Sequence, residues 1–411
     1  MESYRVSISK GVFMFHFPIK KQLNSNYIYQ FSMFLVYIGI ALLAISDSGI
    51  QLLILMEIGP GSRTLRLIAM WLLFIKILLT RYNKKEFLLL TPVTLLALYN
   101  YTVSGNIYCV YTVLVIACLK DVDFSTLFKV LFYSTLSAVV FVGILSFFNI
   151  GSPTQLTQDF GRGLVETRYC FGLYHPNIWH QAIGRCIIFA CIGYFKQLNI
   201  IHLLILLVFN YFIYTMSVSR TGLLAVSIFL VLLIFYKYLK KFMHTLFVKI
   251  CAIAGMLGVY SLYIYYTYKL TGEYHLRAEE FNWIIATGRL RQALNFLETH
   301  PIQMFSSRFP DDGTLFDCGF FRIFYECGYL WAIIFFAALF TLVILAMKKN
   351  WDIIIPVVVY FIFCSLYEFD PVTRPTYNIA VFFFALLVFP SLRPKFDDFM
   401  TSSRRIKSRK S

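Results

Sequence analysis

Apolar residues run through this chain in long blocks, without the strict alternation of half-buried strands. Blocks at about 28–45, 64–80, 87–103, 106–119, 124–149, 177–195, 199–217, 221–236, 246–266, 320–346, 351–368 and 377–391 each read as a helix. Most are near the ~20 residues needed to cross the hydrocarbon core of a bilayer, though 106–119 is short and 124–149 long enough to tilt. The pattern predicts an all-α polytopic integral membrane protein of about twelve transmembrane helices. It forms one membrane domain over residues 1–411 with no internal repeat.

Three polar stretches at one end interrupt the short connections. Residues 46–63 hold an apolar run, Ile50 to Ile58, too short to cross and expected to be re-entrant or interfacial. Residues 150–176 form a polar loop with Arg162, Glu166, Arg168 and His175, and residues 267–319 make the largest soluble piece, with room for several short helices. Loops of this length are usually functional or disordered. Trp283, Phe281, Phe296, Phe305, Phe309 and Phe316 argue against disorder in the longer one. Residues 392–411 read as a basic cytoplasmic tail, solvated near anionic lipid.

The distribution of charge changes the picture. Flanks at one end of the spans carry 15 Lys and 6 Arg, whereas the other end carries 11 Arg and only Lys269. Positive-inside bias makes the lysine-rich end cytoplasmic, with both termini there. It does not account for arginine at the outer end. A planar guanidinium grips phosphate oxygens in two-pronged fashion, so that end is expected to hold a phosphorylated, membrane-borne substrate. The charged fraction, 14%, is far from the roughly 25% of soluble domains. Because the net charge of +16 is mostly topogenic, it carries no implication of nucleic acid. Residues 1–26 show no small-residue cleavage site, so the first span is expected to serve as an uncleaved signal anchor. Nine cysteines without CxxC or Cys/His spacing imply no metal, and a Cys170–Cys318 bridge is left open.

Two constellations carry candidate chemistry. Ser219-Arg220-Thr221-Gly222 lies between two apolar runs with almost no loop, which pins Arg220 at the membrane boundary. A snorkelling residue would need no such neighbours. Thr287-Gly288-Arg289-Leu290-Arg291 precedes a helical stretch, where free N–H groups at a helix start would favour an anion. His300-Pro301-Ile302 and then Asp317-Cys318-Gly319-Phe320 follow. An acceptor hydroxyl needs a general base, for which Asp317 stands first, then His300 and Glu166. His300 also reads as a helix-ending residue, and His175 as a loop or cap residue. Arg185 falls inside a span one turn after Gln181, where a costly charge lines a polar cavity or is held by hydrogen bonds.

These motifs together resemble the O-antigen polymerase and O-antigen ligase family over about residues 160–346. Tyr174-His175-Pro176-Asn177 is also similar to capsular polysaccharide polymerases of Gram-positive bacteria. The resemblance implies a glycosyltransferase of the bacterial cytoplasmic membrane that acts on glycans linked to undecaprenyl diphosphate, with neither metal nor nucleotide sugar. Membrane lipids, a chain-length regulator and a flippase are the other partners it implies. It makes Arg220 and Arg289 the diphosphate-binding pair. The residues themselves add Arg162, Arg168, Glu166, His175, Arg185 and Arg291 as further candidate substrate contacts. Asp317 stands where ligase members often carry His, which favours a polymerase. Gln303-Met304-Phe305 replaces the glycines usual after His-Pro-Ile. A ligase of the same family is the alternative. A flippase or transporter is the alternative from another class, although no matching broken spans point to it.

Overall fold

A helix forms in every one of the twelve apolar blocks. The computed structural model describes residues 25–49, 61–160, 163–271, 275–308, 310, 316–368, 374 and 376–401. In chain order the helices begin with α1 (Ser25–Gly49), α2 (Gly61–Leu79), α3 (Lys84–Ser104), α4 (Tyr108–Cys118) and α5 (Phe124–Phe147). Next come strands β1 (Gln155–Asp159) and β2 (Val165–Tyr169), then α6 (Pro176–Gly193), α7 (Ile200–Ser217), α8 (Arg220–Tyr238), α9 (Lys240–Met243) and α10 (Leu246–Leu270). The chain continues through α11 (Leu276–Glu280), a π-helical turn (Phe281–Ile285) and α12 (Arg289–Thr299). It closes with α13 (Gly319–Lys349), α14 (Ile354–Tyr367), α15 (Ile379–Val388) and α16 (Leu392–Thr401). Among the described residues seven helices are long and apolar enough to cross a membrane: α1, α3, α5, α7, α8, α10 and α13. The protein is thus a multi-pass, predominantly helical membrane protein.

Helix ends follow local chemistry. Asn83 and Glu86 form a reciprocal capping box at the start of α3, and the Asp123 carboxylate accepts the Thr126 N–H to start α5. The apolar α15 is buried from Ile379 to Leu386 and packs on α4, α13 and α14, so it is the bundle's axis. Phenylalanines fill the space around it: Phe124 and Phe128 stack on Phe383 at 5.6 Å and 5.5 Å. The opposite extreme is α10, where Tyr263, Thr267 and Leu270 are the buried residues and the others are exposed or half-buried.

Two expectations need correction, and the open Cys170–Cys318 pairing is resolved. Residues 150–176 are not a plain loop, because β1 and β2 pair as an antiparallel hairpin from Gln155↔Tyr169 to Asp159↔Val165. Both hairpin faces are largely exposed, so neither shows the apolar alternation that marks a strand. Residues 392–401 are not a solvated tail. Leu392, Phe396, Phe399 and Met400 are buried on one side of α16, and Trp351 Nε1 donates to Asp397 Oδ1 at 2.7 Å. Finally, all nine cysteines are free thiols, so no Cys170–Cys318 bridge forms. The apolar run 50–58 lies outside the described residues.

α13 is broken at Gly328, whose φ of 80° and ψ of 163° suit glycine alone. A Cβ there would lie 2.4 Å from the Phe305 backbone. The break admits the segment 303–307, whose Gln303 and Met304 carbonyls accept from the Tyr329 and Leu330 amides at 3.1 Å and 3.2 Å. The Cys327 carbonyl accepts from Asn100 of α3 at 2.8 Å. The long loop is thereby anchored to the bundle rather than hanging from it.

Candidate functional site

The Ser-Arg-Thr-Gly turn is held from beneath by a buried polar cluster. Ser219 caps α8 by accepting the Gly222 N–H, and the Ser217 hydroxyl accepts the Ser219 N–H. His180 of α6 bonds Ser217 Oγ at 2.8 Å and Asn210 Oδ1 at 3.0 Å, while the Asn210 amide donates to the Leu223 carbonyl and Ser227. Gly222 lets α8 meet that imidazole, since a Cβ would sit 2.5 Å from the His180 ring. Arg220 projects from this rigid corner, exposed, and engages no hydrogen bond or ion pair among the described residues.

Arg289 begins α12 after two left-handed residues, Thr287 at φ 53° and Gly288 at φ 82°. Its guanidinium donates to Thr287, approaches Glu368 at 3.7 Å and lies 5.9 Å from the centre of the Tyr367 ring. Not all of the expected N–H groups at this helix start are free. The Arg291 N–H is taken by Asn282 Oδ1 at 3.1 Å and the Arg289 N–H by the Ala286 carbonyl.

Helix pairing brings the two arginines to one end of the bundle. Phe229 of α8 and Tyr360 of α14 are in ring contact at mid-helix. Tyr236, late in α8, lies beside His244, which hydrogen-bonds Asp352 just before α14. The two packed helices are therefore antiparallel. From the shared Phe229–Tyr360 level, Arg220 stands about 13 Å and Glu368 about 12 Å toward the loop end, at 1.5 Å per residue.

The hairpin packs against His175 at the start of α6. Its Nδ1 accepts the Asn177 N–H at 3.2 Å as it caps α6, which leaves the proton on Nε2 when the ring is neutral. Phe160 packs edge-on against the ring at 5.9 Å, and the Arg168 guanidinium lies 4.0 Å from the centre of Phe160. Arg168 is buried and ion-paired to Glu166 at 2.6 Å. Burial, followed by repulsion from Arg168, lowers the pKa of His175 below its ordinary value, while Asp317 opposes the shift. Asp317 is thus within electrostatic reach of His175. It is half-buried, and no hydrogen bond engages it among the described residues. Both Arg289 and Asp317 act electrostatically on Cys318, whose burial pushes its thiol up to about 12. Burial likewise pushes Cys170 up to about 11, so neither thiol supplies a nucleophile near neutral pH.

The arrangement thins the list of arginines. Arg66 pairs with Asp47, Arg168 with Glu166, Arg291 with Glu279 and Arg322 with Glu326. Arg291 also donates to the Leu270 carbonyl, so it ties α12 to α10 rather than opening to a ligand. Arg185 is 1% exposed and lies 3.3 Å from the centre of the Tyr377 ring, with a donor toward Ser48 at 3.5 Å. It sits among the loop-end terminus of α1, α6 and the segment before α15, with Nε and Nη1 buried and without a hydrogen bond among the described residues. His300 closes α12, stacked on Phe296 at 4.7 Å with Nδ1 turned to Thr299 and the Phe296 carbonyl. Arg162 lies outside the described residues. Among those described, no three His, Cys, Asp or Glu side chains group as metal ligands.

Sequence reasoning missed His180, Asn210, Glu368, Tyr367 and Phe160. His180 and Asn210 were legible as polar residues in apolar helices, the same signal that drew attention to Arg185. No protein-family model, curated protein or solved structure matches the chain.

Proposed function

We propose that this protein is a polysaccharide polymerase of the O-antigen polymerase and ligase type. In this reading all twelve helical blocks span the bacterial cytoplasmic membrane, the lysine-rich end faces the cytoplasm, and the loop end faces outward. The growing glycan moves from undecaprenyl diphosphate to the next lipid-linked repeat unit. One observation carries the reading. Among the described residues, an unpartnered, rigidly mounted Arg220 and a loosely paired Arg289 occupy the same end of the bundle as an unengaged carboxylate, Asp317.

The chemistry follows from those groups. The acceptor hydroxyl attacks the anomeric carbon, its proton passes to the Asp317 carboxylate, and the anomeric C–O bond to phosphate breaks. The electron pair leaves on undecaprenyl diphosphate, where Arg220 and Arg289 stabilise the growing negative charge. A diphosphate carries more charge than the Glu368 carboxylate and competes with it for Arg289. Neutral His175, with its proton on Nε2, donates to the acceptor sugar or to Asp317 and sets the direction of the base.

Purified protein in lipid, given a lipid-linked repeat unit with and without chelator, tests this. A ladder of glycan on the carrier is expected in both arms. Arg220→Gln and Arg289→Gln are each expected to slow it about 100-fold or more. Absence of any ladder, or transfer of preformed polymer onto a different acceptor, contradicts the reading.

A further inference from the structure

The π-helical turn between α11 and α12 presents apolar side chains that are exposed among the described residues. Trp283 is 67%, Ile284 73% and Ile285 47% exposed, and Leu276 on the preceding helix is 60% exposed. Their neighbours face the other way. Phe281 stacks on Tyr266 of α10 at 4.2 Å and Asn282 is buried, so the turn is two-sided. The turn is also fixed in place. Arg291 bonds the Leu270 carbonyl at the end of α10 and pairs with Glu279 of α11, and Asn282 binds both the Gly288 and Arg291 amides.

α10 exposes most of its apolar surface toward the bilayer, with Tyr268, Tyr265 and Ile264 outward near its end. After α11 the exposed turn lies beside the last two turns of α10, where Phe281 also meets Tyr263 edge-on at 5.7 Å. Cations border it: Arg277 is exposed with no carboxylate partner among the described residues, and Lys269 lies 5.8 Å from the centre of the Tyr265 ring. Tryptophan beside aliphatic residues, rimmed by Arg and Lys, is the composition of a membrane–water interface. A patch of this kind facing water would be a liability.

We infer that Trp283, Ile284, Ile285 and Leu276 insert into the leaflet at the loop end, with Arg277 and Lys269 against lipid phosphate. The occupant of this surface is the bilayer itself. The consequence reaches the candidate site, because Trp283 rests on Gly288, 3.2 Å from where a Cβ would stand. The anchor therefore holds Arg289, the next residue, at the level of the headgroups. This inference rests on the membrane architecture and not on the polymerase reading, so either can fail alone.

The test is the emission that wild type has and Trp283→Phe lacks, measured in nanodiscs of phosphatidylglycerol and phosphatidylcholine. Lipids brominated high on the acyl chain are expected to abolish that difference signal, and aqueous iodide to leave it intact. A second reporter, Ile284→Trp in the Trp283→Phe background, is expected to behave alike. Quenching by iodide with no response to brominated lipid overturns the inference. So does protection from iodide that appears only when a lipid-linked glycan is added, because the turn would then be a sugar platform.

Discussion

At the scale of single residues, the chemistry open to the loop end depends on which polar groups are already engaged. Arg291 and Arg289 stand two positions apart in one motif, and the sequence offered both to an anion. Arg291 is spent on Leu270 and Glu279, whereas Arg289 keeps a longer contact with Glu368. Arg291→Gln is accordingly expected to lower thermal stability while leaving the KM for the lipid-linked unit unchanged, and Arg289→Gln to raise that KM or lower kcat. Measuring both variants side by side checks the distinction. The engagement of a guanidinium is illegible in sequence, because its partners lie on distant segments.

His175 adds a pH dependence whose sign is fixed. Its folded pKa lies below the ordinary 6.5, because burial and Arg168 disfavour the charged ring. The unfolded chain takes up the proton first as pH falls, so stability is full above about 6.5 and drains as pH drops toward the folded value. His175→Asn retains a capping side chain and removes the titration. Melting curves between about pH 7.5 and 5.5 are expected to drop less steeply for this variant than for wild type.

At the scale of elements, periodicity located the apolar helices because a span must be long, apolar and internally hydrogen-bonded. It could not see the hairpin, whose faces are both wet, nor that α16 buries one side against the bundle. The depth of α15 was equally hidden, since a lipid-facing span and a central one are both apolar. The break in α13 had a visible sign, Gly328, but the segment that fills it did not. Gly328→Ala faces both a glycine-only backbone and a clash with Phe305. It is expected to cost on the order of 3 kcal/mol or more, read as a drop in melting temperature. The seam of α6 and α8 makes a parallel case. His180→Leu strands Ser217 and Asn210, with an expected loss of about 1–3 kcal/mol and a slackened Arg220 corner.

At the scale of the whole molecule, arginine on one end and lysine on the other was legible from flank counts alone. Sequence also gave the motifs that mark the loop-end groups. What it could not give was their shared level at one end of the bundle, which depends on the antiparallel packing of α8 against α14. That shared level makes a joint site for one anion the central claim. The most direct measurement is a double-mutant cycle on undecaprenyl diphosphate binding, using native mass spectrometry of wild type, Arg220→Gln, Arg289→Gln and the double variant. If both guanidinium groups grip the same diphosphate, each single change weakens binding about tenfold or more, and the double loses less than the product of the two. Unchanged affinity in either single variant, or losses that simply multiply, would contradict the account.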